Sequence, residues 1–316
     1  MPRKGLSLLT AANTRGNPVL AKFQSLLASV GLSRITRILP RPLRRDHARC
    51  YRWCRKQLAG KRGLELGGPS PIFRRRGALP VYARVGRLDN CNFSGHTIWE
   101  GAIAAGQTYR YHKRRPPGRQ YIAEATDLQA IPAGSYDFVL SSHTLEHSAN
   151  PLRVLAECRR VLGPSGVLVL ILPHKDRTFD HRRPVTALDH LIDDYRRGTT
   201  EADLTHLPEI LALHDLAMDP PAGNPEAFRL RSERNLENRC LHQHVFSSST
   251  VAEMLDYMGW QMHALEPRLP FDIIALASIC RPGESPRNAA FLGLQAGWRQ
   301  TSPFPSDHLA GSRQAA

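Results

Sequence analysis

The sequence has no apolar run long enough for a helical membrane span. Cysteine is scarce. Six occur in 316 residues, at positions 50, 54, 91, 158, 240 and 280, and none forms a CxxC pair. That pattern excludes a disulfide framework or a zinc ribbon, and the thiols read as reduced, as in a cytoplasmic protein. The G-x-G-x-x-G fingerprint that seats a dinucleotide pyrophosphate is missing too. No internal repeat is present. Acids are nearly absent from the first 62 residues, where 15 Lys and Arg face Asp46 alone. The other 254 residues hold 28 Lys and Arg against 27 acids, so an N-terminal arm carries +14 of the net charge of +15 beside a near-neutral body. Such an arm suits anionic lipid or nucleic acid; it equally suits a solvated helical extension with no partner.

Within the arm, Leu20, Phe23, Leu27 and Val30 recur at helical spacing over Val19–Leu39. That stretch reads as a basic amphipathic helix on a membrane surface, a transit-like leader, or a helix packed on the body. A second helix is expected over residues 43–60. The chain then alternates. Strands are expected at 63–66, at 81–89 (chiefly Arg84–Leu88), in "QYIAEATDL" ending at Glu124, and in "YDFVLSS". Asn150 and Pro151 mark a helix start, followed by Leu152, Leu155, Cys158 and Leu162 along one side. "VLVLILP" (167–173) has the continuous apolar character of a parallel strand covered on both faces. Strands alternating with helices give an α/β, doubly wound, mostly parallel sheet. Residues 174–245 break the rhythm with helical patches near 186–197 and 206–217. Strand signals return near 260–266 and 271–279, and the tail from Arg281 reads as disordered. The expected divisions are therefore 1–60 (basic extension), 61–173 (core), 174–245 (insert or lid), 246–281 (closing strands) and 282–316 (tail).

The first strand runs into "LELGGPS", an acid followed by two glycines. Adjacent glycines turn sharply and let a ligand approach bare backbone. In open α/β sheets ligands bind at the carboxyl ends of the strands. Asp89, 22 residues beyond Gly67, stands where an acid would grip two ribose hydroxyls, and Glu124 where one would accept from an adenine amino group. A loop beside Glu65 suits a cationic ligand better than a pyrophosphate.

These features resemble the Rossmann-like S-adenosylmethionine-dependent methyltransferases. The resemblance rests on "LELGGPS", Asp89, "EATDLQAIPAGSYDFVLSSHTLEH" and "PLRVLAECRRVLGPSGVLVLILP", covering residues 60–173. The Leu-Glu-His after the fourth strand marks the LEH type. "DNCNF", "WEG" and "TFDHRRP" resemble a bacterial subgroup associated with glycan biosynthesis. Pro69 and Pro71 replace two of the family's glycines, which stiffens the loop. The resemblance implies a seven-stranded sheet and S-adenosylmethionine as cofactor. It places Glu65 near the methionine amino group, Gly67 and Gly68 against the methionine part, and Asp89 on the ribose. Glu124 and the backbone of Ala125 would read the adenine, with Ser142 beside the cofactor.

A hydroxyl acceptor needs its proton removed, and histidine is the usual base near neutral pH. His143, His147 and His174 follow the fourth and fifth strands and are the candidates; each is equally a cap or a packed core group. No metal site is expected. "HLPEILALH" is not H-E-x-x-H, and "HQH" sends its two rings to opposite faces if extended. The leading reading is a methyltransferase for a small-molecule or glycan acceptor, cytoplasmic or peripheral to the inner membrane through the arm. The alternatives are a nucleic-acid methyltransferase gripping phosphate with the arm, which the neutral body disfavours, and a non-catalytic cofactor-binding module.

Overall fold

The computed structural model describes residues 47–308. The helix expected over Val19–Leu39 lies outside them. Eight strands form one sheet, and the order across it is β5-β6-β2-β1-β7-β8-β10-β9. The central five are parallel: β6 (Gly118–Ile122), β2 (Arg87–Asn92), β1 (Arg62–Leu66), β7 (Tyr136–Ser142) and β8 (Leu162–Pro173). β10 (Asp272–Ile279) inserts antiparallel between β8 and β9 (Trp260–Arg268). The eighth strand, β5 (Gly106–Tyr109), adds an antiparallel edge beside β6 that the sequence did not announce. β3 (His96–Thr97) and β4 (Gly101–Ala102) form a small separate ribbon carrying Trp99 at its turn.

Two apolar layers cover the sheet. One holds Leu64, Leu66, Val139, Leu168 and Leu170 with α2 (Pro151–Val161) and α6 (Ser248–Tyr257). The other holds Leu88, Phe138, Leu140, Val169 and Ile171 with α1 (Tyr51–Leu58), which buries Cys54 and Leu58. Asn150 caps α2 as its sequence position implies, accepting from Arg153 N at 3.0 Å. Between β8 and α6 the chain makes α3 (Leu188–Arg197), α4 (Leu207–Leu213) and α5 (Pro225–Glu233), with a small core of their own around Ile210, Phe228 and Leu241. None of the helices among the described residues is long and apolar enough to cross a membrane.

Two expectations need correction. β2 begins three residues later than Arg84, because Val81, Tyr82 and Val85 are spent in turns that plug the core below the sheet. The tail is packed through residue 308. α7 (Gly297–Thr301) buries Trp298, while Phe304 and Asp307 are buried beside β8's exit. Sequence polarity concealed this, since those few apolar anchors are separated by Gly, Ser and Pro.

Candidate active site

The loop after β1 is built from beneath. The Glu65 carboxylate is fully buried and accepts from Tyr82 Oη at 2.7 Å, Tyr109 Oη at 2.5 Å and Ser70 N at 3.1 Å. Burial lifts its pKa to about 7, against the opposing pull of those three hydrogen bonds. Gly67 and Gly68 both have positive φ, +73° and +83°. A Cβ at Gly67 would come within 2.9 Å of Thr144 Oγ1, and one at Gly68 would collide with the Glu65 carboxylate. Asn90 Nδ2 donates to the carbonyls of Glu65 (3.1 Å) and Gly67, and Gly67 N donates to Cys91 O at 2.9 Å. The structure therefore places Glu65 under the loop as its internal anchor, rather than facing a ligand's ammonium. Tyr82, Tyr109 and Asn90 carried no signal in the sequence beyond being polar or aromatic near a strand.

Asp89 is also elsewhere than expected. It pairs in register with Leu64, below the tips of the strands. Its buried carboxylate accepts from Arg62 Nη2 (3.0 Å), Arg87 Nε (3.0 Å), Arg119 N (2.7 Å) and Tyr136 Oη (3.0 Å). Burial alone would raise its pKa; those four bonds outweigh it and lower it. Four donors saturate a carboxylate and leave nothing for a ribose. The tip of β2 is Asn92, whose Nδ2 donates to Asn90 Oδ1 at 2.8 Å. Glu124 and Ala125 do lie just past the end of β6, partly exposed, and Glu124 is paired with Arg239 from the insert. Ser142 ends β7 and receives a hydrogen bond from Ser70 Oγ at 3.1 Å, tying the glycine loop to the fourth parallel strand.

The three candidate bases divide sharply. His174 is fully buried, bonded through Nε2 to Asp307 Oδ1 at 3.1 Å and stacked on Phe304 at 4.0 Å, so it anchors the tail and reaches no acceptor. His143, at φ +52°, lies between Asp272 Oδ1 (3.0 Å) and Glu146 Oε1 (3.6 Å). Burial would lower its pKa, but the hydrogen bonds to those two acids prevail and lift it to about 10. A ring that is cationic at neutral pH has no lone pair to accept a proton. His147 is the opposite case. Burial, and then repulsion from His242, push its pKa down to about 4. Its Nδ1 faces the carbonyl of Leu241 at 3.0 Å. A carbonyl can only accept, so Nδ1 carries the hydrogen and Nε2 keeps the lone pair.

Around His147 the wall is aromatic and acidic. Trp99 lies 5.2 Å from its ring and His242 meets it edge-on at 4.7 Å. His242 is oriented by Asp180, 2.5 Å from its Nδ1, and Asp180 is held in turn by buried Arg183 at 3.0 Å. Glu146, buried with its Oε2 unpartnered, completes a group of three with His147 and His242, whose ligand-capable atoms lie within 4.8 Å of one another. These partners come from residues 99, 180 and 242, far apart in sequence.

Residues 79–170 match the family model for a methyltransferase domain. That stretch thus carries a methyltransferase domain, and S-adenosylmethionine is the cofactor such a domain implies. A curated relative, a ubiquinone biosynthesis O-methyltransferase of Thiobacillus denitrificans, is 28% identical over 128 residues, 40% of this chain. The chain spans 51% of that relative's length. Among solved structures, a SAM-dependent methyltransferase from Aquifex aeolicus is similar with 13% identity and a TM-score of 0.36, covering 78% of this chain and 98% of that one. One from Methanosarcina mazei is similar with 14% identity and a TM-score of 0.42, covering 72% and 97%. The methyltransferase domain's edge suits its cofactor in two respects. Gly67 and Gly68 form a partly exposed rim with no side chains, and a polar row of Asn92, Glu124 and Ser142 follows the strand ends.

Proposed function

We propose that the protein methylates a hydroxyl group on a small-molecule or glycan acceptor, with His147 as general base. Bound S-adenosylmethionine supplies a methyl group activated by its sulfonium. The protein's work is alignment and proton removal. Gly67 and Gly68 would take the methionine part, Asn92 the ribose, and Glu124 with Ala125 the adenine. The observation that carries the reading is the state of His147: neutral, with Nδ1–H committed to Leu241 O and Nε2 free to accept the acceptor's proton. Trp99 and His242 pack against the His147 ring. The relative's name, an O-methyltransferase, supports a hydroxyl acceptor. In this reading the N-terminal basic arm docks the enzyme on an anionic membrane surface.

The test pairs calorimetry with S-adenosylhomocysteine and transfer of labelled methyl groups to a panel of nucleotide sugars, lipid-linked glycans, phenols and RNA. Binding together with label on a hydroxyl compound supports the reading; label on RNA alone, or binding without transfer to anything, overturns it. A second reading rests on Glu146, His147 and His242 converging: a divalent cation there would position the acceptor oxygen. Activity abolished by chelation and restored by a divalent ion would favour it over His147 as base.

A further inference from the structure

A second group of histidines lies in the insert, away from His147. His190 and Asp194 are one turn apart on α3, His206 precedes α4, and His244 lies in the segment leading to α6. His190 Nε2 is 3.0 Å from His206 Nε2 and 3.1 Å from Asp194 Oδ2. His244 Nε2 is 3.7 Å from the same carboxylate oxygen and donates to the carbonyl of Ala149 at 3.2 Å, so the lone pair of that ring is on Nδ1. One donor atom from each of the four lies within 4.8 Å of every other. Their own hydrogen bonds do not account for this convergence. Two imidazole nitrogens 3.0 Å apart share a single proton, so one N–H cannot also serve Asp194. Asp194 Oδ2 and His244 Nδ1 are buried with no hydrogen-bond partner, and unsatisfied groups of this kind are rare in folded proteins. A cation bound by nitrogen and oxygen at about 2.0–2.2 Å holds tetrahedral ligand atoms about 3.3–3.6 Å apart, a few tenths of an ångström wider than the 3.0 and 3.1 Å at which His190 Nε2 meets His206 Nε2 and Asp194 Oδ2.

We infer that His190, Asp194, His206 and His244 bind one divalent transition ion of the zinc class. Three imidazoles and a carboxylate suit that class and not magnesium or calcium, which take oxygen ligands. Four protein ligands close the coordination sphere, so the ion is structural. The outer contacts are in place: Asp194 Oδ1 accepts from Thr199 Oγ1 at 2.9 Å, and the Asp194 carbonyl accepts from Asn150 Nδ2 at 2.9 Å. His190 is exposed enough to give the ion a way in. Such an ion clamps α3, the start of α4 and the 242–246 segment together. It therefore stiffens the stretch that holds His147 through Leu241.

The experiment uses the full chain, stripped with a chelator and dialysed, then titrated with Co²⁺ and read by visible absorption. One equivalent should give the intense bands of four-coordinate cobalt, and Zn²⁺ should displace it stoichiometrically. His190→Ala and His206→Ala, shown by circular dichroism to be folded, should bind at least about 100-fold more weakly and lose those bands. Asp194→Asn keeps the side-chain shape and should do the same if either histidine variant fails to fold. His242→Ala, which removes a ring from the other cluster, should keep the bands. No four-coordinate spectrum in the wild type, or an unchanged spectrum in the folded His190, His206 and Asp194 variants, overturns the site.

Discussion

His147 Nδ1 donates to the carbonyl of Leu241 at 3.0 Å across 94 residues of sequence. This contact sets the tautomer of the ring, and the insert that supplies it thereby decides which nitrogen can act as base. His147→Ala should lower turnover by about 10²–10⁴-fold and leave S-adenosylhomocysteine affinity nearly unchanged. The pH profile provides the sharper check. With a ring pKa near 4, kcat/KM should hold steady as pH falls from 8 and decline only as pH drops through about 4. An acid limb near 6.5 instead would assign the proton to another group.

Asp89 should matter for stability and not for the cofactor. Asp89→Asn removes charge from a carboxylate with four donors, leaving Arg62 and Arg87 to turn toward solvent. A loss of about 1–3 kcal/mol is expected in chemical denaturation. Calorimetry on the folded variant should give the wild-type affinity for S-adenosylhomocysteine; a large drop would return Asp89 to the ribose.

Glu65 gives a pH effect of opposite sign to the usual carboxylate. Its folded pKa, about 7, lies above the unfolded value, so the native state binds the proton more tightly. The stability it contributes is complete below the unfolded pKa and is lost as pH rises through about 7. Glu65→Gln imitates the protonated acid and should remove that loss. Relative to wild type it should gain about 1–3 kcal/mol at pH 8 and almost nothing at pH 4. Paired thermal melts at the two pH values decide the matter.

The tail pair behaves conventionally. Burial would raise the Asp307 pKa, but His174 and the hydroxyls of Ser302 and Ser248 bring it below the ordinary carboxylate value. Its stabilisation is present above that ordinary value and is lost as pH falls through the lower folded one. Asp307→Ala should cost about 1–3 kcal/mol at pH 7 and free the tail to proteolysis near residue 300. An unchanged digestion pattern would show that Trp298 and Phe304 hold the tail without it.

Much of the fold was legible because parallel strands and α2 announce themselves locally. "YDFVLSS" and "VLVLILP" lie in β7 and β8, and Asn150–Pro151 opens α2. β2 was displaced because its own sequence is polar. Asn90, Cys91 and Asn92 can be buried only because their side chains bond to backbone or to each other, and a hydropathy pattern cannot show that. For the same reason the tip of β2 carries an amide, Asn92, where the acid Asp89 was expected. His143 and His147 looked alike in "HTLEH". What separates them is Asp272 beside one and Leu241 beside the other, and both partners come from segments about a hundred residues downstream. The opposite facing of His242 and His244 was legible: one ring meets His147 and the other meets His206.

The Glu266 carboxylate in β9 receives the backbone N–H groups of Arg49 (3.0 Å) and Cys50 (3.1 Å), at the start of α1. More than two hundred residues lie between them. During synthesis α1 emerges early, yet the acid that satisfies its first amides does not exist until the ninth strand has been made. β10 must then slide between β8 and β9 before that acid is fixed in position. Contacts of such long range slow folding. The nascent protein therefore holds α1 without the acid that satisfies its leading amides until both β9 and β10 have been made.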